Sequence, residues 1–366
     1  MTGGRVRLLL TADAVGGVWQ YALDLARALA PLGIEPAIAL LGPEPSAEQR
    51  REAADLHVIE TGLPLDWLCE GPGPVLAAGR AVAALARREG ADLVQLNMPT
   101  LAPGAGFSCP VIAVAHGCLG TWWHAAYGEA PPGHYAWHGE LMARGLRLAD
   151  AVVAPTAAYA ETVRRHYALS APPHSIHNGR TPFAIAPAPM RDFALTAGRL
   201  WDRVKNIALL DRVAARLPVP FLAAGAARGP HGETIGLDHL VGLGQLDAPG
   251  LAERLAGRPI FVSAACFEPF GLAVLEAAQA GCALVLSDIP SFRELWDGAA
   301  LFASPEDEAG FERAIRALLD DRDRRVALGE AARERAGRYT PAAMADGMAR
   351  LCRTLVGPRE QGRAAA

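Results

Sequence analysis

"RVRLLLTADAVGGVWQYALDLARALAPLGIEPAIALL", residues 5–41, reads as strand, turn, helix, strand. The apolar run "RVRLLL" is β-like. After it, Val18, Leu25 and Leu29 fall at helical spacing, and Gly33 is a C-terminal stop for that helix. "IEPAIALL" then returns to a strand. Two strands joined by a helix make a βαβ unit, so the sheet is expected to be parallel with right-handed crossovers.

The same rhythm continues outward. "DLHVIE", "DLVQLN", "PVIAVA" and "DAVVAP" are further β-like runs, each followed by a helical pattern or a loop. It pauses at "RTPFAIAPAPMRD", 180–192, where Pro182, Pro187 and Pro189 can join neither a ladder nor a helix interior. It restarts with "FALTAG", "VPFLAAG", "HLVGLG", "PIFVSAA", "CALVLSD" and "AALFAS". The expected architecture is α/β, with two Rossmann-like doubly wound domains facing each other across a cleft. Residues 1–180 form the first domain, 181–192 a linker, 193–340 the second domain, 341–356 a closing helix and 357–366 a flexible tail. Ligands of such folds bind beyond the carboxyl ends of the strands, at helix N-termini. The turns after strands are therefore the place to look for chemistry.

Bulk properties narrow the class. The chain has 366 residues, a net charge of −4 and about half its residues apolar. A nucleic-acid binder would be expected to show a basic stripe instead. Cys69, Cys109, Cys118, Cys266, Cys282 and Cys352 include no C-x-x-C pair, which reads as reduced thiols of a cytoplasmic protein. No 18-residue apolar span occurs, and the run after Met1 is too short for a signal peptide.

Four stretches carry candidate chemistry. In "GRLWDRVKN", 198–206, the chain places its one lysine, Lys205, six residues after Arg199; its other 34 cationic side chains are arginines. Both lie in a turn between a strand and a helix. A guanidinium fork beside a compact ammonium suits the oxygens of a diphosphate; two solvated loop cations are the plainer reading. In "CFEPFGLAVLEAAQAG", 266–281, Glu268 lies in the turn after a strand, Gly271 opens a helix and Glu276 follows about a turn later. Gly271 lets backbone N–H groups approach an anion, which the helix dipole favours, while both carboxylates can accept from hydroxyls. Gly16 and Gly17 form a turn between the first strand and first helix where backbone can meet a ligand. His116 ends the strand "PVIAVAH" and should face the cleft, and Trp122, Trp123 and Tyr127 after it either stack on a sugar acceptor or fill a small satellite core.

Other patterns carry less. His124, His134 and His138 lack a cysteine partner and a ligand helix, so no metal site is expected. "DDRDRR", 320–325, contains D-x-D between two helical patterns rather than after a strand, and reads as a solvated turn.

Taken together, the glycine pair after strand one, the strand-end His116, "GRL…KN" and "EPFGLAVLEAAQAG" resemble the retaining glycosyltransferases of the GT-B fold, in particular glycosyltransferase family 4. "PTAAYAETVRRHYAL", "HSIHNG" and "VLSDIPSFREL" extend the resemblance over nearly the whole chain. It implies that Arg199 and Lys205 bind the donor diphosphate. Glu268, with the backbone of Phe270, Gly271 and Leu272, would hold the donor sugar and phosphate, and Glu276 the ribose. The base would rest near Val241 and Gly244, His116 would face the sugar, and Gly17 would lie near the diphosphate and acceptor. It also implies front-face displacement with retention, a nucleoside-diphosphate sugar as donor (a UDP-sugar ahead of GDP-mannose), and neither metal nor cofactor. The acceptor would be a saccharide or a lipid-linked hydroxyl, and the latter would bring the enzyme to the inner face of a membrane. Three local departures stand out: "NGR" at 178–180 in place of N-G-V-D, Asn206 where Gly is frequent, and no P-S before "CFEPFG". The competing readings on the same fold are a nucleotide-sugar epimerase, a phosphorylase with Lys205 on pyridoxal, and a silent nucleotide-sugar binder.

Overall fold

The computed structural model describes residues 5–230 and 232–357; of the closing tail, 358–366 lie outside the described residues. The chain divides into two compact units. The first comprises Met1–Trp123, Glu129–Gly179 and Pro341–Ala366, and the second His124–Gly128 and Arg180–Thr340.

The first unit is built on strands β1 (Val6–Asp13), β2 (Ile34–Leu41), β3 (His57–Glu60), β4 (Leu93–Leu96), β5 (Val111–Val114), β6 (Ala151–Ala154) and β7 (His174–Ser175). All pairs are parallel, in the order β3-β2-β1-β4-β5-β6-β7. The opening βαβ unit pairs in register from Val6 with Ile34 to Asp13 with Leu41. Leu8, Leu9 and Leu10 are all fully buried, because helices cover both faces, as parallel sheets require. Leu8 and Leu10 pack with the helix Gly17–Leu29 and with Met344, Ala345, Met348, Ala349 and Cys352 of the helix Pro341–Val356. Leu9, on the opposite face, packs with Val75 and Val82 of the helix Pro72–Arg88.

The second unit repeats the plan with β8 (Ala194–Ala197), β9 (Phe221–Ala224), β10 (Val241–Gly244), β11 (Ile260–Ser263), β12 (Ala283–Ser287) and β13 (Leu301–Ala303). Its order is β10-β9-β8-β11-β12-β13, again parallel. Neighbouring residues alternate between two cores: Leu195, Phe261 and Leu284 face one, and Ala194, Ile260 and Val285 the other.

Three details differ from the sequence reading. The two-residue strand β7 is too short to show as an apolar run. The Pro-rich stretch 181–192 has no regular secondary structure, yet Phe183 and Ile185 pack on the second core and Arg191 N–H donates to Gly257 O at 2.9 Å. It and Arg180 thus group with the second unit. "DDRDRR" is not simply a solvated turn. Asp321 Oδ1 caps the helix Arg322–Ala336 by accepting from Arg324 N–H, and Arg325 is buried. The Arg325 guanidinium donates to Asp192 Oδ1 at 2.9 Å and to the carbonyls of Arg191 and Arg258, tying this helix to the loop before β8.

Candidate active site

In the second unit, β8 ends at Ala197 and the chain turns sharply at Gly198 (φ +146°). A 3-10 turn, Arg203–Lys205, leads into the helix Ile207–Ala214. Asp202, buried at the start of the turn, accepts from Val204 N–H at 3.3 Å and from Arg199 Nη2 at 2.8 Å. Arg199 therefore stands on a carboxylate, its guanidinium 5.7 Å from the Trp201 ring centre. Asn206 is left-handed (φ +56°, ψ +38°), a conformation open to Gly and Asn, which accounts for the Asn found at a Gly-rich position. Its Nδ2 donates to Ala264 O (3.2 Å) and Pro305 O (2.7 Å), so the side chain that tolerates the turn also braces it.

Lys205 Nζ forms an ion pair with Glu268 Oε2, both side chains mostly buried. This joins the turn after β8 to the turn after β11. Cys266 N–H donates to Val204 O at 2.9 Å, and Ser291 Oγ donates to Glu268 O at 2.5 Å. Gly271, at φ +89°, caps the helix Leu272–Gln279. A Cβ there would meet Glu268 Cγ and Phe292 at 3.2 Å each, so the glycine lets the carboxylate sit against the helix start. Phe270 is buried. Within that helix Glu276 Oε1 accepts from Arg180 Nε at 2.9 Å, in a pair about one-tenth exposed.

Val241 and Gly244 lie on β10, the edge strand. Val241 is exposed, and Gly244 O accepts from Gly225 N–H at 2.8 Å. Gly198, Gly225 and Gly244 thus bring the ends of β8, β9 and β10 together. Tyr127 also falls in this unit. Its ring lies 4.8 Å from the Arg203 guanidinium, and Arg203 Nε donates to Ala126 O at 2.9 Å.

In the first unit, His116 follows β5. Its Nε2 is 3.0 Å from Asn97 Oδ1. Asn97 sits just past β4, with Nδ2 donating to Thr11 O at 2.6 Å and its backbone N–H to Thr11 Oγ1 at 2.9 Å. That fixes Oδ1 as the atom facing His116. An amide oxygen only accepts, so Nε2 carries the imidazole proton and Nδ1 keeps a lone pair. Gln95 Nε2 donates to the same Oδ1 (3.0 Å) and to Tyr21 Oη (3.2 Å), and Tyr21 meets the imidazole edge-on at 4.4 Å. Desolvation pushes the His116 pKa down to about 3. The helix Gly17–Leu29 has Gly16 as its N-cap, Gly17 exposed and no acidic residue in its first turn. Trp122 and Trp123 are partly buried and meet edge-on at 5.9 Å, with Trp123 5.7 Å from Tyr135.

Because His116 is neutral when folded and its ordinary pKa is 6.5, protons bind the unfolded chain first as pH falls. Its contribution to stability is therefore full above about pH 6.5 and is lost as pH drops toward 3. The urea midpoint of the wild type should fall more between pH 7.5 and pH 5 than that of His116→Gln. Equal falls would contradict the partly buried, neutral imidazole.

The sequence placed Lys205, Glu268, Gly271 and Arg199 in turns after strands, and the structure brings Lys205 and Glu268 into contact. It missed Asp202, Arg180, Gly225 and the Thr11–Asn97–Gln95–Tyr21 set around His116. Asp202 lies within the quoted "GRLWDRVKN" and Arg180 is the third letter of the departing "NGR", so both carried a signal. His138 is buried 3.1 Å from Asp66 Oδ2, and no group of three or more His, Cys, Asp or Glu among the described residues could hold a metal ion. All six cysteines are free thiols. No described helix is long and apolar enough to cross a membrane.

Two parallel-sheet α/β units, each with its polar groups in the turns beyond the strand ends, define the GT-B class of fold. Two family models match in succession, Glycosyltransferase Family 4 over residues 15–182 and Glycosyl transferases group 1 over 183–335. The chain belongs to this family of glycosyltransferases. A phosphatidyl-myo-inositol mannosyltransferase of Mycolicibacterium smegmatis is 30% identical over 210 residues, 52% of this chain and 54% of the relative. A glycogen synthase of Mycobacterium tuberculosis is 37% identical over 95 residues, 25% of this chain and 23% of the relative. The match thus spans about half the length of the first curated relative and about a quarter of the second. Among solved structures, a sucrose-phosphate synthase from Thermosynechococcus elongatus superposes with a TM-score of 0.78 at 20% identity, covering 96% of this chain and 99% of that one. Anabaena HepE in complex with UDP-glucose gives 0.71 at 17% identity, covering 96% and 100%. At these identities the structures speak to the fold alone.

Proposed function

We propose that the chain moves a hexosyl group, with retention, from a nucleoside-diphosphate sugar to a hydroxyl of a saccharide or lipid-linked acceptor. The observation that carries this reading is the Lys205–Glu268 pair at the start of the Gly271-capped helix. A cation for phosphate and a carboxylate for sugar hydroxyls stand side by side where a glycosyl diphosphate needs both. Lys205 and Arg199 take up the charge that develops on the departing diphosphate, and this pair of fixed cations supplies it without a metal. Glu268 accepts from sugar hydroxyls, and the N–H groups of Phe270, Gly271 and Leu272 face the phosphate. Glu276 accepts from the ribose, the backbone of Val241 and Gly244 meets the base, and Gly17 approaches the diphosphate and acceptor. His116 offers its Nδ1 lone pair to a hydroxyl of the sugar.

The bond from the anomeric carbon to the diphosphate oxygen breaks, and the acceptor oxygen bonds to the same face. The acceptor's proton passes to the departing phosphate oxygen, so no paired carboxylates at glycosidase spacing are needed.

UDP is favoured as the nucleotide, the one that a neighbour sharing the fold holds as UDP-glucose. The phosphatidyl-myo-inositol mannosyltransferase relative supports a lipid-linked acceptor and mannose as the alternative sugar, and GDP-mannose is the rival donor tested below.

The test is the thermal midpoint with UDP, GDP, ADP and dTDP, with and without EDTA. A diphosphate at a hundredfold excess over its dissociation constant adds about 2.7 kcal/mol. UDP is expected to give the largest rise, insensitive to EDTA. A larger rise with GDP would transfer the donor assignment to GDP-mannose, and a flat panel would overturn the reading.

A further inference from the structure

Arg180 stands where the sequence departs from the N-G-V-D pattern, and it reaches the carboxylate proposed above to hold the ribose. Its Nε donates to Glu276 Oε1 at 2.9 Å, and each side chain is 11% exposed. Arg180 is itself held at three places. Its backbone N–H donates to Tyr339 O at 3.3 Å, its carbonyl accepts from Gln279 Nε2 at 2.8 Å, and its guanidinium lies 5.6 Å from the Phe183 ring centre. Glu276 and Gln279 share one face of the helix Leu272–Gln279, so a single helical turn grips Arg180 by side chain and by backbone. This grip makes Arg180 a fixed support rather than a mobile surface cation.

We propose that Arg180 is a positioning residue for nucleotide recognition: it keeps Glu276 ionised and aims the carboxylate at the ribose hydroxyls. The proposal rests on the donor-site reading of Glu276. A carboxylate taken this far out of water is costly unless a cation and hydrogen bonds compensate it, and it tends to protonate otherwise. A protonated Glu276 would lose the charge-assisted hydrogen bonds that distinguish a ribose from a sugar without hydroxyls. The bond from Nε to Oε1 fixes how the carboxylate is oriented on its helix. A lysine at this place would supply charge without the planar fork.

The experiment compares dissociation constants of UDP and 2′,3′-dideoxy-UDP, and of GDP and 2′,3′-dideoxy-GDP, for wild type, Arg180→Met and Arg180→Lys. The wild type should prefer the ribonucleotide by roughly tenfold or more, as expected of hydrogen bonds to a charged group. In Arg180→Met that ratio should fall to nearly one, and in Arg180→Lys to an intermediate value. A merely structural role would weaken both nucleotides alike and leave the ratio unchanged. Retention of the wild-type ratio in Arg180→Met overturns the proposal, as does its full retention in Arg180→Lys should the methionine variant not fold. A wild type that binds the ribo and dideoxy forms equally, or binds neither nucleotide, refutes the assignment of Glu276 to ribose and the proposal with it.

Discussion

Lys205→Ala is expected to lower turnover of a nucleotide-sugar donor by about 100- to 1,000-fold, the range seen when one preorganised transition-state donor is removed. The ammonium is held in place by Glu268 and by the turn that Asp202 and Asn206 brace. It therefore needs no reorganisation when charge develops on a departing phosphate. Fold stability should fall as well, because the substitution leaves the mostly buried Glu268 carboxylate without its cation. Release of nucleoside diphosphate from UDP-glucose and GDP-mannose, followed beside the thermal midpoint, separates the two effects. A variant that is stable and retains turnover within threefold of wild type would remove Lys205 from the chemistry.

Gly225→Ala should be the most damaging small substitution in the second unit. Gly225 has φ +142°, where a side chain is strained, and a Cβ built there would lie 1.7 Å from Gly198 O. Backbone cannot yield as a flexible side chain does. The close approach is itself hydrogen-bonded, with Gly198 N–H donating to Ala224 O at 2.9 Å and Gly225 N–H to Gly244 O at 2.8 Å. The added methyl would push apart the turns that carry Arg199, Lys205 and Gly244. A loss of about 3 kcal/mol or more is expected from strain and clash together, along with weakened nucleotide binding. Urea denaturation measures the first and a UDP titration the second. A loss below about 1 kcal/mol would mean that the turns can separate at little cost.

Local chemistry made much of this legible in the chain. Parallel strands covered on both faces are nearly continuous apolar runs, so β1, β2 and β12 announce themselves. Gly271 stood out in the turn after such a run, and Lys205 as the one lysine of the chain, in another such turn. What stayed hidden depends on which strands are neighbours. Asn97 meets His116 because β4 and β5 are adjacent, and Thr11 joins them because β1 lies beside β4. Residues up to about a hundred positions apart meet there, and no local pattern encodes the pairing. Gly225 was hidden for the same reason, since only the paired ends of β8 and β9 make its missing side chain necessary. Arg180 is a different case. The departure at "NGR" was visible, but its partner is 96 residues away, so the letters could flag the site without saying what the guanidinium holds. "DDRDRR" shows the opposite error: a charged string read as solvated contains the buried Arg325, because its carbonyl and carboxylate partners come from distant segments.

The most direct test of the donor site is a calorimetric titration of UDP and of UDP-glucose into the wild type, Lys205→Ala and Glu268→Gln, with GDP in parallel. The site described predicts one nucleotide bound per chain, UDP ahead of GDP, and affinity at least tenfold weaker in Lys205→Ala. Glu268→Gln should lose more affinity for the intact UDP-sugar than for UDP, since Glu268 accepts from the sugar hydroxyls as well as pairing with Lys205. Equal affinity of all three proteins for UDP and for UDP-glucose would place the nucleotide elsewhere and contradict the assignment of this turn to the donor.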